Sequence, residues 1–210
     1  MIDDLACLMY LLAYDDTAEG PYDRSRTELL VRAAALVDLA SRGRLGEDRG
    51  TVTVLDAEPT GIAALDAILG DAAGRSWKRL IRRRRKQTLR QVEGRLVAAG
   101  LLTVKPRSGF RTRGPTMADR SVPVALRARV SDALHGDGTV AELPTADAAL
   151  VALAAAGGVH SAVSRRDRRI SWARIDACTG RLAALGPGLE QAVRTLPMTM
   201  VAARGGMGGA

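Results

Sequence analysis

The chain has 210 residues, 47% of them hydrophobic, which suits one ordinary domain with a sizeable core. We read residues 1–203 as a single domain and 204–210, RGGMGGA, as a disordered tail. The formal net charge is +8, yet the stretch Arg75 to Arg95, RSWKRLIRRRRKQTLRQVEGR, alone carries ten basic residues against Glu93, a net +9. The basicity is therefore one local patch on a nearly neutral chain, and a patch of that density points to an anionic partner; a solvated helix face is the plain alternative.

Arginine outnumbers lysine 28 to 3, the bias of a GC-rich bacterial genome, so arginine at any one site carries little weight. Its clustering does carry weight, because codon bias spreads arginine along a chain. Cys7 and Cys178 stand far apart, which suits two isolated thiols in a reducing cytoplasm and not a disulfide framework. The start, Met-Ile-Asp-Asp, is acidic where a secretory signal needs positive charge. The longest apolar run, Ala148 to Val159, is too short to span a bilayer. A cytoplasmic protein is expected, with any membrane contact peripheral.

Taken in order, Ile2 to Tyr14 reads as a helix with Leu5, Leu8, Met9 and Leu12 on one face and Asp3 and Asp4 in its first turn. A second helix begins after Ser25; its stripe Leu29, Leu30, Ala33, Leu36, Val37 and Ala40 ends at a Gly43 cap, with Arg32 at the stripe's edge or under a partner. Thr51 to Val54 reads as a short strand after the turn Asp48-Arg49-Gly50. A third helix spans Ile62 to Leu69 and closes at Gly70. The basic helix follows, from an N-cap at Ser76 to a stop at Gly100. Its apolar positions recur at helical spacing except across Arg82 to Lys86, where the buried face is missing for more than a turn. The helix either breaks there or protrudes from the fold. Leu101 to Val104 reads as a strand leading through Pro106 to Gly109 toward Phe110, which is ringed by Arg107, Arg111 and Arg113 and serves equally well as a core residue or as an apolar membrane anchor. Further helices are expected at about Pro123 to His135, Thr145 to Val163, Arg169 to Leu185 and Gly188 to Ala203.

Catalytic and metal signatures are missing from the sequence. His135 and His160 are distant from each other and from the cysteines, without ligand spacing. No P-loop, no GxGxxG after a strand and no GxSxG is present. We expect no enzyme, no cofactor and no metal.

Three stretches, LVRAAALVDLASRGRL from Leu30 to Leu45, DAEPTGIAALDAIL from Asp56 to Leu69 and RLVAAGLLT from Arg95 to Thr103, resemble the Golgi phosphoprotein family in order and spacing, and DAALVALAAA supports the match more weakly. The resemblance covers about Ile2 to Ala203. It implies a mainly α, single compact multi-helix domain with short strands and a protruding β-hairpin, and a peripheral membrane protein that binds phosphatidylinositol 4-phosphate. The family's phosphate-contacting arginine of the second helix falls on Arg32. Aligned back from Gly100, its two further basic residues fall on Lys86 and Leu89; the register set by Trp77 moves the second to Arg90 instead. The family's tryptophan before the second helix has its counterpart near Tyr22 and Asp23, so that aromatic wall is missing and strict selectivity for the 4-phosphate is not carried over. The resemblance thus gives a headgroup site of Arg32, Lys86, Arg90 and Tyr22, and a membrane-facing patch of Arg82, Arg83, Arg84, Arg85, Arg107 and Phe110. Docking should rest more on charge than on insertion, because each Arg or Lys near an anionic leaflet contributes roughly 1 kcal/mol. Arg32→Ala is expected to weaken headgroup binding and leave the fold intact.

The expected partners are an anionic phospholipid or phosphoinositide headgroup and the cytoplasmic face of a membrane; no specific nucleic acid is expected, and homo-oligomerisation is left open. The rival reading is a winged helix-turn-helix regulator, in which the basic helix would enter DNA and Lys105 to Arg113 would form the wing. A third reading is an interaction module whose arginines meet an acidic protein.

Overall fold

The computed structural model describes residues 2–15, 20–21, 23–104 and 115–205. Among them the chain is mainly helical, with three two-stranded antiparallel sheets. Helix α1 is Leu5–Leu12, capped by the Asp4 carboxylate, which accepts the Cys7 N–H at 2.9 Å. A bridge of β1, Tyr14–Asp15, with β2, Gly20–Pro21, leads to α2, Arg24–Ser41. Helix α2 is the axis of the molecule: every residue from Thr27 to Ala40 is buried, and α1, α5 (Arg85–Ala98) and α7 (Thr145–Gly157) pack around it. Its end is the expected one. Gly43 takes φ 68° and the Arg44 N–H reaches back to the Leu39 carbonyl at 2.9 Å, the C-terminal motif that favours glycine.

The strand expected at Thr51 is β4, Thr51–Val54, and it has a partner that periodicity did not mark, β3, Leu45–Asp48. Arg49 and Gly50 both carry positive φ, 47° and 78°, as a tight two-residue hairpin requires. The hairpin is tied down at two points. Its Val52 exchanges backbone hydrogen bonds with Gly74 and Arg75, and its Glu47 carboxylate accepts both the Trp77 indole N–H (2.9 Å) and the Gly188 N–H (2.8 Å).

Helix α3 runs Ala63–Ala72, so Gly70 lies within it and does not close it. The long basic helix is two helices: α4, Trp77–Arg82, capped by Ser76, and α5. Of the two expectations for the apolar gap, the break is the one realised. The strand after Gly100 is β5, Leu102–Thr103, paired with β6, Thr116–Met117. The hairpin tip, with Arg107 and Phe110, lies outside the described residues, as does Tyr22.

The second half is helical throughout: α6 (Ser121–His135), α7, α8 (Arg165–Ile170), α9 (Trp172–Gly180), α10 (Pro187–Arg194) and α11 (Leu196–Gly205), with 3₁₀ turns at Val140–Glu142 and Arg181–Ala184. Three expected boundaries change for local reasons. Helix α7 stops at Gly157, not Val163, because Gly158 turns left-handed at φ 62°. The helix expected from Arg169 to Leu185 starts earlier and is divided at Ser171, since Ser164 and Asp167 form a capping box that nucleates α8 separately. Helix α11 continues to Gly205, into the stretch expected to be a tail. No helix among the described residues is long and apolar enough to cross a membrane.

Candidate functional site

Arg32 sits in the middle of the buried face of α2 and is only 1% exposed. A cation there must find acceptors in the protein, because leaving a buried charge unsatisfied costs several kcal/mol, roughly, in a low-dielectric interior. Its Nε donates to the Leu80 carbonyl at 3.0 Å and its Nη1 to the Thr88 hydroxyl at 3.0 Å. The first of these acceptors depends on the break in the basic helix. In an unbroken helix the Leu80 carbonyl would take the N–H four residues on; here α4 ends two residues after Leu80, and the carbonyl accepts the Arg83 N–H at 3.3 Å together with the Arg32 Nε. The third nitrogen, Nη2, is buried and has no hydrogen-bond partner among the described residues.

The break is a two-residue elbow. Arg83 is extended (φ −80°, ψ 133°) and Arg84 is left-handed (φ 51°, ψ 21°), one of two non-glycine residues with positive φ among those described. Asp71, from the last turn of α3, holds the elbow. It accepts from Arg75 Nη2 at 2.9 Å and from Arg83 Nε, and Arg84 Nε lies 3.8 Å away. The hydrogen bond from Arg83, followed by that from Arg75, draws the Asp71 carboxyl down to about 2. Burial, reinforced by the nearby Arg84 and Arg83 charges, lowers Arg32 to about 10 against the opposing pull of Asp71, so Arg32 stays charged at neutral pH.

Helix α5 starts from this elbow without a side-chain cap and with no acidic residue in its first turn. A helix N-terminus carries roughly half a positive charge and favours anions nearby, but here the sequence places Arg82, Arg83, Arg84, Arg85 and Lys86 around it. Asp71 offsets only part of that charge. The arrangement is locally frustrated: an uncapped helix start and several arginines share one carboxylate, and the Nη2 of Arg32 lies buried without an acceptor.

The expected site residues divide accordingly. The fold gathers Arg32, Arg83, Arg84 and the start of α5. Arg85 turns inward, with its Nε 3.1 Å from the Glu28 carboxylate, and Arg24 and Arg95 similarly tie α5 to its neighbours through Glu93 and Asp4. Lys86 and Arg90 are exposed and one turn apart on α5. They lie two residues to either side of Thr88, which faces Arg32, and two residues is about 200° of helical rotation. The two therefore stand on the outer face and do not converge with Arg32; with Arg82, Lys78 and Arg79 they form an exposed row with no acidic partner among the described residues. Burial also corrects the expectation for Arg32→Ala, because emptying this position removes one of the largest fully buried side chains, so the fold is not spared.

Asp71, Thr88 and the Leu80 carbonyl were not singled out in sequence. Asp71 looks like an ordinary helix-end acid, and only its spacing of four from Arg75 hinted at a local pair. Elsewhere both cysteines are buried, and burial raises both thiols, that of Cys7 far above its ordinary range, so neither is a ready nucleophile.

No curated protein matches the chain. The family model described as Golgi phosphoprotein 3 (GPP34) matches residues 5–196, which takes in α1, the Arg32 helix, the elbow and most of the C-terminal helices. With nearly the whole length matched, the chain belongs to the Golgi phosphoprotein 3 (GPP34) family.

Proposed function

We propose that this protein is a peripheral membrane protein that binds phosphatidylinositol 4-phosphate, or a related anionic headgroup, at the α4–α5 elbow, and that it works on the cytoplasmic face of a membrane. The observation that carries this reading is the buried Arg32, whose Nη2 has no acceptor beneath an uncapped helix start crowded with arginine. A phosphate monoester brings three acceptor oxygens and a charge of about −1.5 to −2 at pH 7, and charge-assisted bonds from guanidinium groups are roughly twice as strong as neutral ones. Lys86, Arg90, Arg82, Lys78 and Arg79 act more broadly, drawing the molecule to an anionic leaflet without selecting a headgroup. Membership of the family agrees with this reading at a coarser level.

Co-sedimentation tests it. The protein should pellet with phosphatidylcholine vesicles doped with phosphatidylinositol 4-phosphate and remain in the supernatant with phosphatidylcholine alone; equal recovery with both contradicts the proposal. A mobility shift with double-stranded DNA at physiological salt separates the regulator reading, since nonspecific attraction to DNA fades steeply with salt and a complex that survived would favour sequence recognition.

A further inference from the structure

The elbow contains an acid whose presence is unexpected at a site for anions. Asp71 is 11% exposed at its side chain and engages three arginines, but not in the same way. Arg75 is anchored doubly, through Nη2 to the carboxylate and through Nε to the Asp71 carbonyl at 2.8 Å, so it belongs to the end of α3. Arg83 and Arg84 reach the carboxylate only through Nε, the latter at 3.8 Å, and both side chains are substantially exposed. They are free to exchange one anionic partner for another. Arg32 is close enough to feel the Asp71 charge but makes no hydrogen bond to it, and its Nη2 waits for an acceptor that Asp71 does not supply.

We propose that Asp71 is an internal competitor for the headgroup phosphate: it holds Arg83 and Arg84 in the unliganded protein, and an incoming phosphate must draw them away from it. This rests on the elbow being the lipid site. Two effects oppose each other. By keeping Arg83 and Arg84 near the elbow, Asp71 spares the ligand some cost of ordering two long side chains. As a like charge beside the ligand, it repels it, and at close range in a half-buried site the repulsion is the larger effect. The result is a threshold. A phosphate monoester, with nearly two charges and three oxygens, exceeds what one carboxylate offers to Arg83 and Arg84; a phosphodiester headgroup, with one charge, only matches it.

The test compares the parent with Asp71→Asn, which keeps the side-chain shape and an oxygen for Arg75, in co-sedimentation at physiological salt. Asp71→Asn should bind vesicles containing phosphatidylinositol 4-phosphate about tenfold more tightly than the parent, and should bind phosphatidylglycerol vesicles that the parent leaves in the supernatant. Asp137→Asn makes the same charge change at an exposed position in the loop after α6 and should alter affinity less than twofold. Unchanged or weaker binding by folded Asp71→Asn overturns the proposal, since it would make Asp71 a support for the arginines; so would an equal gain from Asp137→Asn. If Asp71→Asn does not fold, Asp71→Ser carries the same expectation. Failure of the parent itself to bind phosphoinositide vesicles would overturn the elbow as a lipid site, a result distinguishable from a parent that binds while the variant gains nothing.

Discussion

At the scale of single residues the structure turns on one cation and the acceptors that hold it. Arg32 is held in the interior by the Thr88 hydroxyl and the Leu80 carbonyl, and the first of these can be changed by substitution. Thr88→Val keeps the shape and removes one acceptor, leaving Arg32 with two unsatisfied nitrogens. It should cost about 1–2 kcal/mol in urea unfolding, the usual penalty for orphaning a buried donor. Arg32→Ala removes a fully buried side chain and should cost about 2–4 kcal/mol, so loss of binding in that variant must be judged against its melting curve. The sequence made Arg32 visible as a charge inside an apolar stripe, and the family resemblance marked it as a phosphate contact. It did not reveal that the side chain lies under α4 and α5, because burial of an arginine depends on acceptors from segments about fifty residues away.

At the scale of elements, the apolar gap between α4 and α5 was legible, as either a break or a protrusion, and the geometry that decides between them was not. The missing apolar residues from Arg82 to Lys86 announced that nothing packs over that turn. Arginine has no preference for a left-handed backbone, however, so nothing in the run RRRRK selects Arg84 as the residue that turns; the positions of Asp71 and Arg32 do. A non-glycine residue in that conformation costs roughly 1–2 kcal/mol, and glycine escapes it. Arg84→Gly should therefore keep or raise the melting temperature while weakening vesicle binding, a separation that a purely structural arginine would not show. The α2–α7 packing makes a second element-scale prediction. A Cβ on Gly157 would lie 2.5 Å from Leu30 Cδ1, where α7 packs against the buried face of α2. Gly157→Ala should destabilise by about 1–3 kcal/mol through overpacking, measured by chemical denaturation, with headgroup affinity per folded molecule unchanged. The Ala-Gly run around Gly157 read as continuous helix, since the close approach of Leu30 and the left-handed turn at Gly158 are set by tertiary packing and leave no periodic trace.

For the whole molecule, the charge of the chain is concentrated where the fold leaves it unpaired. The inner face of α5 is neutralised by Glu28, Glu93 and Asp4, and the outer row from Lys78 to Arg90 is left to solvent or to a surface. Binding to anionic vesicles should accordingly fall steeply as salt rises, because the exposed row is screened at Debye lengths of roughly 8–10 Å. The pH dependence has a definite sign. Asp71 is depressed to about 2 from an unfolded value of 3.8, so the stability it contributes is fully present above about pH 4 and is lost as pH falls through about 2. Arg32, at about 10, also keeps its charge between pH 5 and 8. At the elbow, the group that titrates in that window is the ligand, since a phosphate monoester takes up its second proton near pH 6. Affinity for phosphatidylinositol 4-phosphate should weaken from pH 7.5 to 5.5 while the melting temperature changes little.

The most direct measurement compares vesicles that differ only in the monoester: phosphatidylinositol 4-phosphate against phosphatidylinositol, each in phosphatidylcholine, by co-sedimentation at physiological salt. Recovery with the phosphorylated lipid and little with the unphosphorylated one is the predicted result. Equal recovery with both would show that the surface row binds charge in general and that the elbow beneath it, with Arg32, selects nothing.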